Sequence, residues 1–163
     1  MDLEDLLNRK DIPDDVKEEL KRLYSSQSLS TLAIQDELAS SQERYRALFE
    51  RSNDAIFIVD KVTGSYLDAN KAAETLTGRS LDTLKTMRTF DVCPKGAQDR
   101  LDILAGRKEP TDLGEIEYVH PDGSVRIALL STVPLSNGQI FGFARDITNR
   151  KTAQKILLEK ERL

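Results

Sequence analysis

Little in this sequence can carry chemistry by itself. Its 163 residues include no tryptophan, one cysteine (Cys93) and one histidine (His120). A lone cysteine excludes an internal disulfide and any cysteine-rich metal site. A lone histidine in a turn leaves no Ser-His-Asp set to assemble, and no glycine-rich phosphate loop follows a strand pattern. The longest apolar runs, Ala55 to Val59 and Ile127 to Leu130, fall far short of the ~20 residues that cross a bilayer. Met1-Asp2-Leu3-Glu4-Asp5 is acidic where a secretory leader begins with positive charge. Basic residues are not in excess either: 24 Lys and Arg stand against 28 Asp and Glu, a net charge of −4. That is the reverse of a nucleic-acid-binding footprint. These absences predict a cytoplasmic chain that is no enzyme itself, with no metal, no nucleic acid and no membrane contact by this segment. A membrane anchor elsewhere in a larger parent stays open.

What is present divides into helical flanks and a β-rich centre. The hydrophobic fraction of 39% can fill one core, and the 32% of charged residues points to exposed helix. Residues 1 to 24 read as two short helices. Pro13 with Asp14 and Asp15 suits a helix start, and Val16, Leu20 and Leu23 make one apolar stripe. Ser25-Ser26-Gln27-Ser28 is expected to break or fray it. A further helix is expected from about Leu29 to Arg51. Ile34, Leu38, Ser41, Tyr45 and Leu48 recur at alternating spacings of four and three, a heptad seam. Such a seam packs either on its own domain or on a second chain.

Beyond Asp54 the texture is that of a sheet. Ala55-Ile56-Phe57-Ile58-Val59 reads as a strand buried on both faces, and Ser65 to Ala69 as its hairpin partner. Asn70 sits where an N-cap belongs and Gly78 where a C-cap does, bracketing a two-turn helix anchored by Leu76. Short helices follow around Leu81, Leu84 and Leu101 to Leu104. In the third strand Ile116 and Tyr118 alternate with Glu115 and Glu117, which leaves one face wet. His120-Pro121-Asp122-Gly123 is a hairpin turn leading into a long strand from Val125 to Val133, and Asn137-Gly138 is a second, leading into the last strand from Ile140 to Asp146. From Thr148 the pattern is a charged helix with a thin seam of Ala153, Ile156 and Leu163. It reaches the last residue with no capping signal, so continuation into a longer protein is expected. The fold class is α+β: a five-stranded antiparallel sheet, short helices on one face, helices at both ends.

Four segments, in order, are similar to the PAS domain family over roughly residues 41 to 148, between a helical linker (1–40) and a terminal helix (149–163). They are Ser52 to Asp60; Asp68-Ala69-Asn70 to Gly78; His120-Pro121-Asp122-Gly123-Ser124; and Gly142-Phe143-Ala144-Arg145-Asp146-Ile147-Thr148. The resemblance implies the strand order 2-1-5-4-3 and dimerisation through the preceding helix, here Ile34, Leu38, Tyr45 and Leu48. It also implies signal output through the Asp146-Ile147-Thr148 junction, with Asp146 and Thr148 as the relay. Phe57, Leu76, Leu104 and Phe143 are the candidate pocket residues. The sequence departs from the family at Arg79, Thr83 and Thr86, which are expected around the pocket entrance.

The resemblance also sets expectations for cofactors. The flavin photosensors of this family carry an Asn-Cys-Arg-Phe motif where this chain reads Lys85-Thr86-Met87-Arg88, and Cys93 follows later as a buried thiol. The haem sensors place a histidine in the helix corresponding to Gly96 to Gly106, which has none; His120, in a hairpin, is expected to be solvated. No cofactor is therefore predicted. The implied function is a homodimeric input module of a two-component signalling protein, foremost a sensor histidine kinase, or of a diguanylate cyclase. It would bind a small ligand and pass its change to an output domain of the parent chain. The alternatives are a purely structural dimeriser whose pocket is filled by side chains, and a flavin- or haem-bearing redox or light sensor.

Overall fold

The computed structural model describes residues 2–162. Contacts divide the chain into two compact units that meet in sequence at Ala47 and Leu48. The first unit is helical. α1 (Leu3–Leu7) is capped by the Asp2 carboxylate, which accepts the Leu3 N–H at 2.6 Å. α2 (Asp14–Arg51) then runs unbroken for 38 residues, its last turn lying in the second unit. The break expected at Ser25 to Ser28 does not occur. Serine and glutamine cost a helix only about 0.5 kcal/mol each, and no glycine or proline lies between Asp14 and Arg51. The Thr31 hydroxyl donates to the Gln27 carbonyl, and Glu19 pairs with Arg22 one turn apart. Ile34, Leu38, Tyr45 and Leu48 are all exposed along α2.

The second unit is an α+β domain. Its strands are β1 (Ala55–Asp60), β2 (Tyr66–Ala69), β3 (Thr111–Val119), β4 (Val125–Pro134) and β5 (Gln139–Asp146), all antiparallel in the order β2-β1-β5-β4-β3. Between β2 and β3 come four short helices: α3 (Lys71–Thr77), α4 (Leu81–Leu84), α5 (Thr89–Val92) and α6 (Ala97–Ala105). α7 (Thr148–Glu161) follows β5. Its seam residues Ala153 and Ile156 are exposed, and Leu163 lies outside the described residues.

Strand alternation sorts the side chains. Phe57 and Val59 of β1, Ala128 of β4 and Ile140 and Ala144 of β5 face the short helices, where Leu76, Leu84, Val92 and Leu104 complete the core. Ile116 and Tyr118 are buried on β3 while Glu115 and Glu117 stay wetter, as the alternation predicts. β3 forms one edge of the sheet. Its ladder with β4 is interrupted between Asp112 and Gly114, where Gly114 takes φ +75°, a left-handed value that favours glycine.

Candidate functional site

Two neighbouring features of the second unit concern function: a cavity between sheet and helices, and the junctions that tie its outer helices to the sheet. The cavity measures about 50 Å³. Phe57 and Val59 from β1, Leu130 and Thr132 from β4, and Ile140 and Gly142 from β5 make its floor. Ala97, Arg100, Leu101 and Leu104 of α6 cover it, with Cys93, Thr89, Tyr66 and Tyr118 at the sides. Gly142 belongs to the floor because a larger residue there would project into this space: an added Cβ would sit 3.4 Å from Leu130 and 3.9 Å from Phe57. Phe57 anchors the aromatic wall, 5.4 Å from the Tyr66 ring and stacked on Tyr118 at 5.9 Å.

The structure separates the four candidate pocket residues. Phe57 and Leu104 line the cavity. Leu76 is buried in the core but does not line it. Phe143 is the correction: it lies on the opposite face, 37% exposed and stacked on Phe141 at 6.0 Å. Strand parity is the reason. Ile140, Gly142 and Ala144 point inward, so Phe143 must point outward. The small residues at 142 and 144 were the available signal. Arg79, Thr83 and Thr86 do not surround the cavity either. The Arg79 guanidinium donates to the Thr77 carbonyl at 2.9 Å and the Val119 carbonyl at 2.7 Å, while Thr83 and Thr86 stabilise α4 and its exit.

Among the polar groups of the cavity wall, Cys93 is the buried thiol expected from the sequence, while Thr89, Arg100, Tyr66 and Tyr118 carried no recognisable signal there. Burial raises the Cys93 thiol above its ordinary value, and the nearby Arg100 only partly offsets this. Burial likewise pushes both the Tyr66 and Tyr118 phenols up. All three stay protonated at neutral pH. The Tyr66 hydroxyl lies 3.9 Å from the Cys93 sulfur. The Arg100 guanidinium donates to the carbonyls of Cys93 and Lys95 and has no ion-pair partner among the described residues. The Thr89 hydroxyl is buried without a hydrogen-bond partner among the described residues.

Asn70 is the structural hinge pin of the unit. It is fully buried and every hydrogen-bonding position of its amide is used. Its Oδ1 accepts the N–H of Ile56 at 2.9 Å and of Ala73 at 3.0 Å. Its Nδ2 donates to the carbonyls of Phe49 at 2.8 Å and Asp54 at 3.0 Å. One side chain thus joins the end of α2, the start of β1 and the N-terminus of α3.

The second junction links β5 to α7. Asp146 accepts the Thr148 N–H at 2.9 Å and its hydroxyl. The Thr148 hydroxyl in turn accepts the Ile127 N–H of β4 at 2.9 Å, and the Ile147 N–H donates to the Ile127 carbonyl at 2.8 Å. Arg126 lies 3.4 Å from Asp146. The connection therefore extends sideways into β4 and is more than a helix cap. His120 also departs from expectation. Its Nε2 sits 2.7 Å from the Leu76 carbonyl, and its ring covers Gly78, whose φ of +65° ends α3. The hairpin histidine thus closes the terminus that Gly78 marks, by a contact with a carbonyl 44 residues away that the sequence does not announce.

Comparison with known proteins completes the description. The family model for the PAS fold matches residues 43–147. The methyl sulfide methyltransferase-associated sensor of Methanosarcina acetivorans is 28% identical over an alignment of 148 residues that covers 85% of this chain and 15% of that protein. The chain thus spans a small fraction of that curated relative. A domain of the sensory box sensor histidine kinase/response regulator from Geobacter sulfurreducens superposes with a TM-score of 0.59 at 33% identity, over 67% of this chain and 96% of the other. The PAS domain of the HTR-like protein from Haloarcula marismortui gives 0.61 at 22% identity, over 71% and 98%, a likeness of fold.

Proposed function

This chain belongs to the PAS family, and from that premise we propose that it is the sensory module of a signalling protein, with α7 as its output. Among the described residues no helix is long and apolar enough to cross a membrane, in keeping with a cytoplasmic placement. The observation that carries the proposal is the Asp146–Thr148–Ile127 connection. A change in the packing beneath β4 and β5 alters the positions of the very groups that hold the first turn of α7. Catalysis belongs to an output domain of the parent, foremost a histidine kinase. The module works without flavin or haem. A space of about 50 Å³ is roughly a third of the ~150 Å³ that holds benzene, far below a flavin ring system.

Thr148→Val tests the relay, because it keeps the shape and removes the hydroxyl. With this chain fused through α7 to the catalytic part of a sensor histidine kinase, the substitution should change autophosphorylation by about fivefold, the low end of coupling between sites. A nitroxide at Lys155 should become more mobile at the same time. An unchanged rate together with an unchanged spectrum would refute the relay.

Dimerisation is proposed through Ile34, Leu38, Tyr45 and Leu48, whose seam spacing fits a parallel helix pair. Leu38→Asp should convert a sedimenting dimer to monomer at tens of micromolar; a wild-type monomer would defeat this reading. A purely structural dimeriser is favoured only by the small size of the cavity. It predicts no ligand retained in native mass spectrometry.

A further inference from the structure

α7 is held to the sheet at two levels. The first is the Asp146–Thr148–Ile127 junction. The second lies further along the helix, where the Lys151 ammonium meets the Glu115 carboxylate of β3 at 2.6 Å. Lys151 is also the last partly buried residue of α7, and every described residue from Thr152 onward is exposed. A single anchor lets a rod swing, whereas two fix its direction. Glu115 is therefore placed to set the angle at which α7 leaves the domain.

Glu115 stands beside the irregularity of β3. Asp112 pairs with Ser131 and Gly114 with Leu130, so Leu113 is an extra residue without a register partner on β4. In a regular strand Leu113 and Ile116, three apart, would face opposite sides of the sheet. The bulge brings both inward: Ile116 is buried in the core and Leu113 lines the cavity. Gly114 turns the backbone at φ +75°, and a Cβ added there would meet nothing within 4 Å. The demand for glycine is thus conformational and not steric. Cavity wall, pivot and anchor are consecutive residues: Leu113, Gly114 and Glu115.

We infer that the β3 bulge is a lever coupling the cavity to α7, with Leu113 as its inner arm and the Glu115–Lys151 ion pair as its outer one. The inference rests on the sensory reading above and gives it a second line of output, through β3 in addition to β5. Whatever displaces Leu113 turns the backbone at Gly114, moves the Glu115 carboxylate and tilts α7 about its Thr148 anchor. A partly exposed ion pair contributes little to stability. That suits a contact that has to be made and broken readily.

Residual dipolar couplings of backbone N–H groups in the full chain report the direction of α7 against the sheet. Glu115→Gln and Lys151→Gln should each shift the ratio of docked to undocked α7 by about twofold, the middle of the range for a surface ion pair. The sign of this is smaller couplings from Thr152 to Glu161 relative to those of β4 and β5. The double variant should go no further than either single one, and the swap Glu115→Lys with Lys151→Glu should restore part of the loss. Leu113→Ala should reorient α7 in the otherwise unaltered chain and leave it unmoved in Lys151→Gln, since coupled sites are not additive. Leu113→Val takes its place where alanine leaves the domain unfolded. Couplings of α7 indifferent to both Glu115→Gln and Lys151→Gln overturn the inference. So does a Leu113 effect of equal size with and without Lys151→Gln. Either result, alongside a Thr148→Val effect on autophosphorylation in the kinase fusion, removes the lever and leaves the sensory module standing. A reoriented α7 with no variant altering autophosphorylation does the opposite.

Discussion

Asn70→Ala should destabilise the PAS unit by about 3 kcal/mol, lowering its melting temperature by roughly 10 °C. Four hydrogen bonds disappear at a fully buried site. Alanine supplies neither acceptor nor donor, so the Ile56 and Ala73 N–H groups lose their partner in a place water cannot easily reach. Loss of an N-cap alone costs about 1 kcal/mol, and the excess measures the links to α2 and β1. Asn70→Ser separates the two contributions. A serine can still cap Ala73 but cannot span to the Phe49 and Asp54 carbonyls, so it should recover only about the capping share. Calorimetry on the three proteins decides the matter. A loss under about 1 kcal/mol for alanine would show that the links beyond the cap contribute nothing.

Phe57→Ala should cost about 3–5 kcal/mol, read as a lower urea midpoint at constant slope. The ring is 3% exposed and touches both tyrosines of the wall, so its removal leaves a void that the sheet cannot close by collapsing. The cavity beside it is already present, and the two spaces would merge. Phe57→Leu keeps most of the volume and should stay within about 1.5 kcal/mol of wild type. If alanine were as mild as leucine, the aromatic stack would not be holding the floor of the cavity.

Features with a local cause were legible in the sequence. Asn70 and Gly78 bracket α3 because capping depends on immediate neighbours, and β3 declares its faces through the alternation of Ile116 and Tyr118 with Glu115 and Glu117. The two hairpins follow from their turn residues. Features with a distant cause were not. The Asn70 amide reaches back 21 residues to Phe49, and His120 reaches back 44 to Leu76. Neither partner announces itself, because backbone carbonyls are the same in every residue. Phe143 was misplaced for another reason: aromatic character predicts burial on average, while only strand parity fixes the face. Arg100 was passed over because an arginine on a charged helix looks solvated until the helix is folded over Tyr66 and Tyr118. In α2 the serine-rich stretch weakened the helical signal without supplying a stop.

The irregular rim at β3 bears on how copies of this domain can meet. A strand added there would need an unbroken row of main-chain partners, but the register slips at Gly114, Pro110 withholds an N–H just before the strand begins, and carboxylates follow at Asp112, Glu115 and Glu117. At the opposite rim, β2 is only four residues long, and its Tyr66 N–H is already given to the Met87 carbonyl. Runaway sheet extension is therefore discouraged at both margins, which leaves helices and sheet faces to govern self-association.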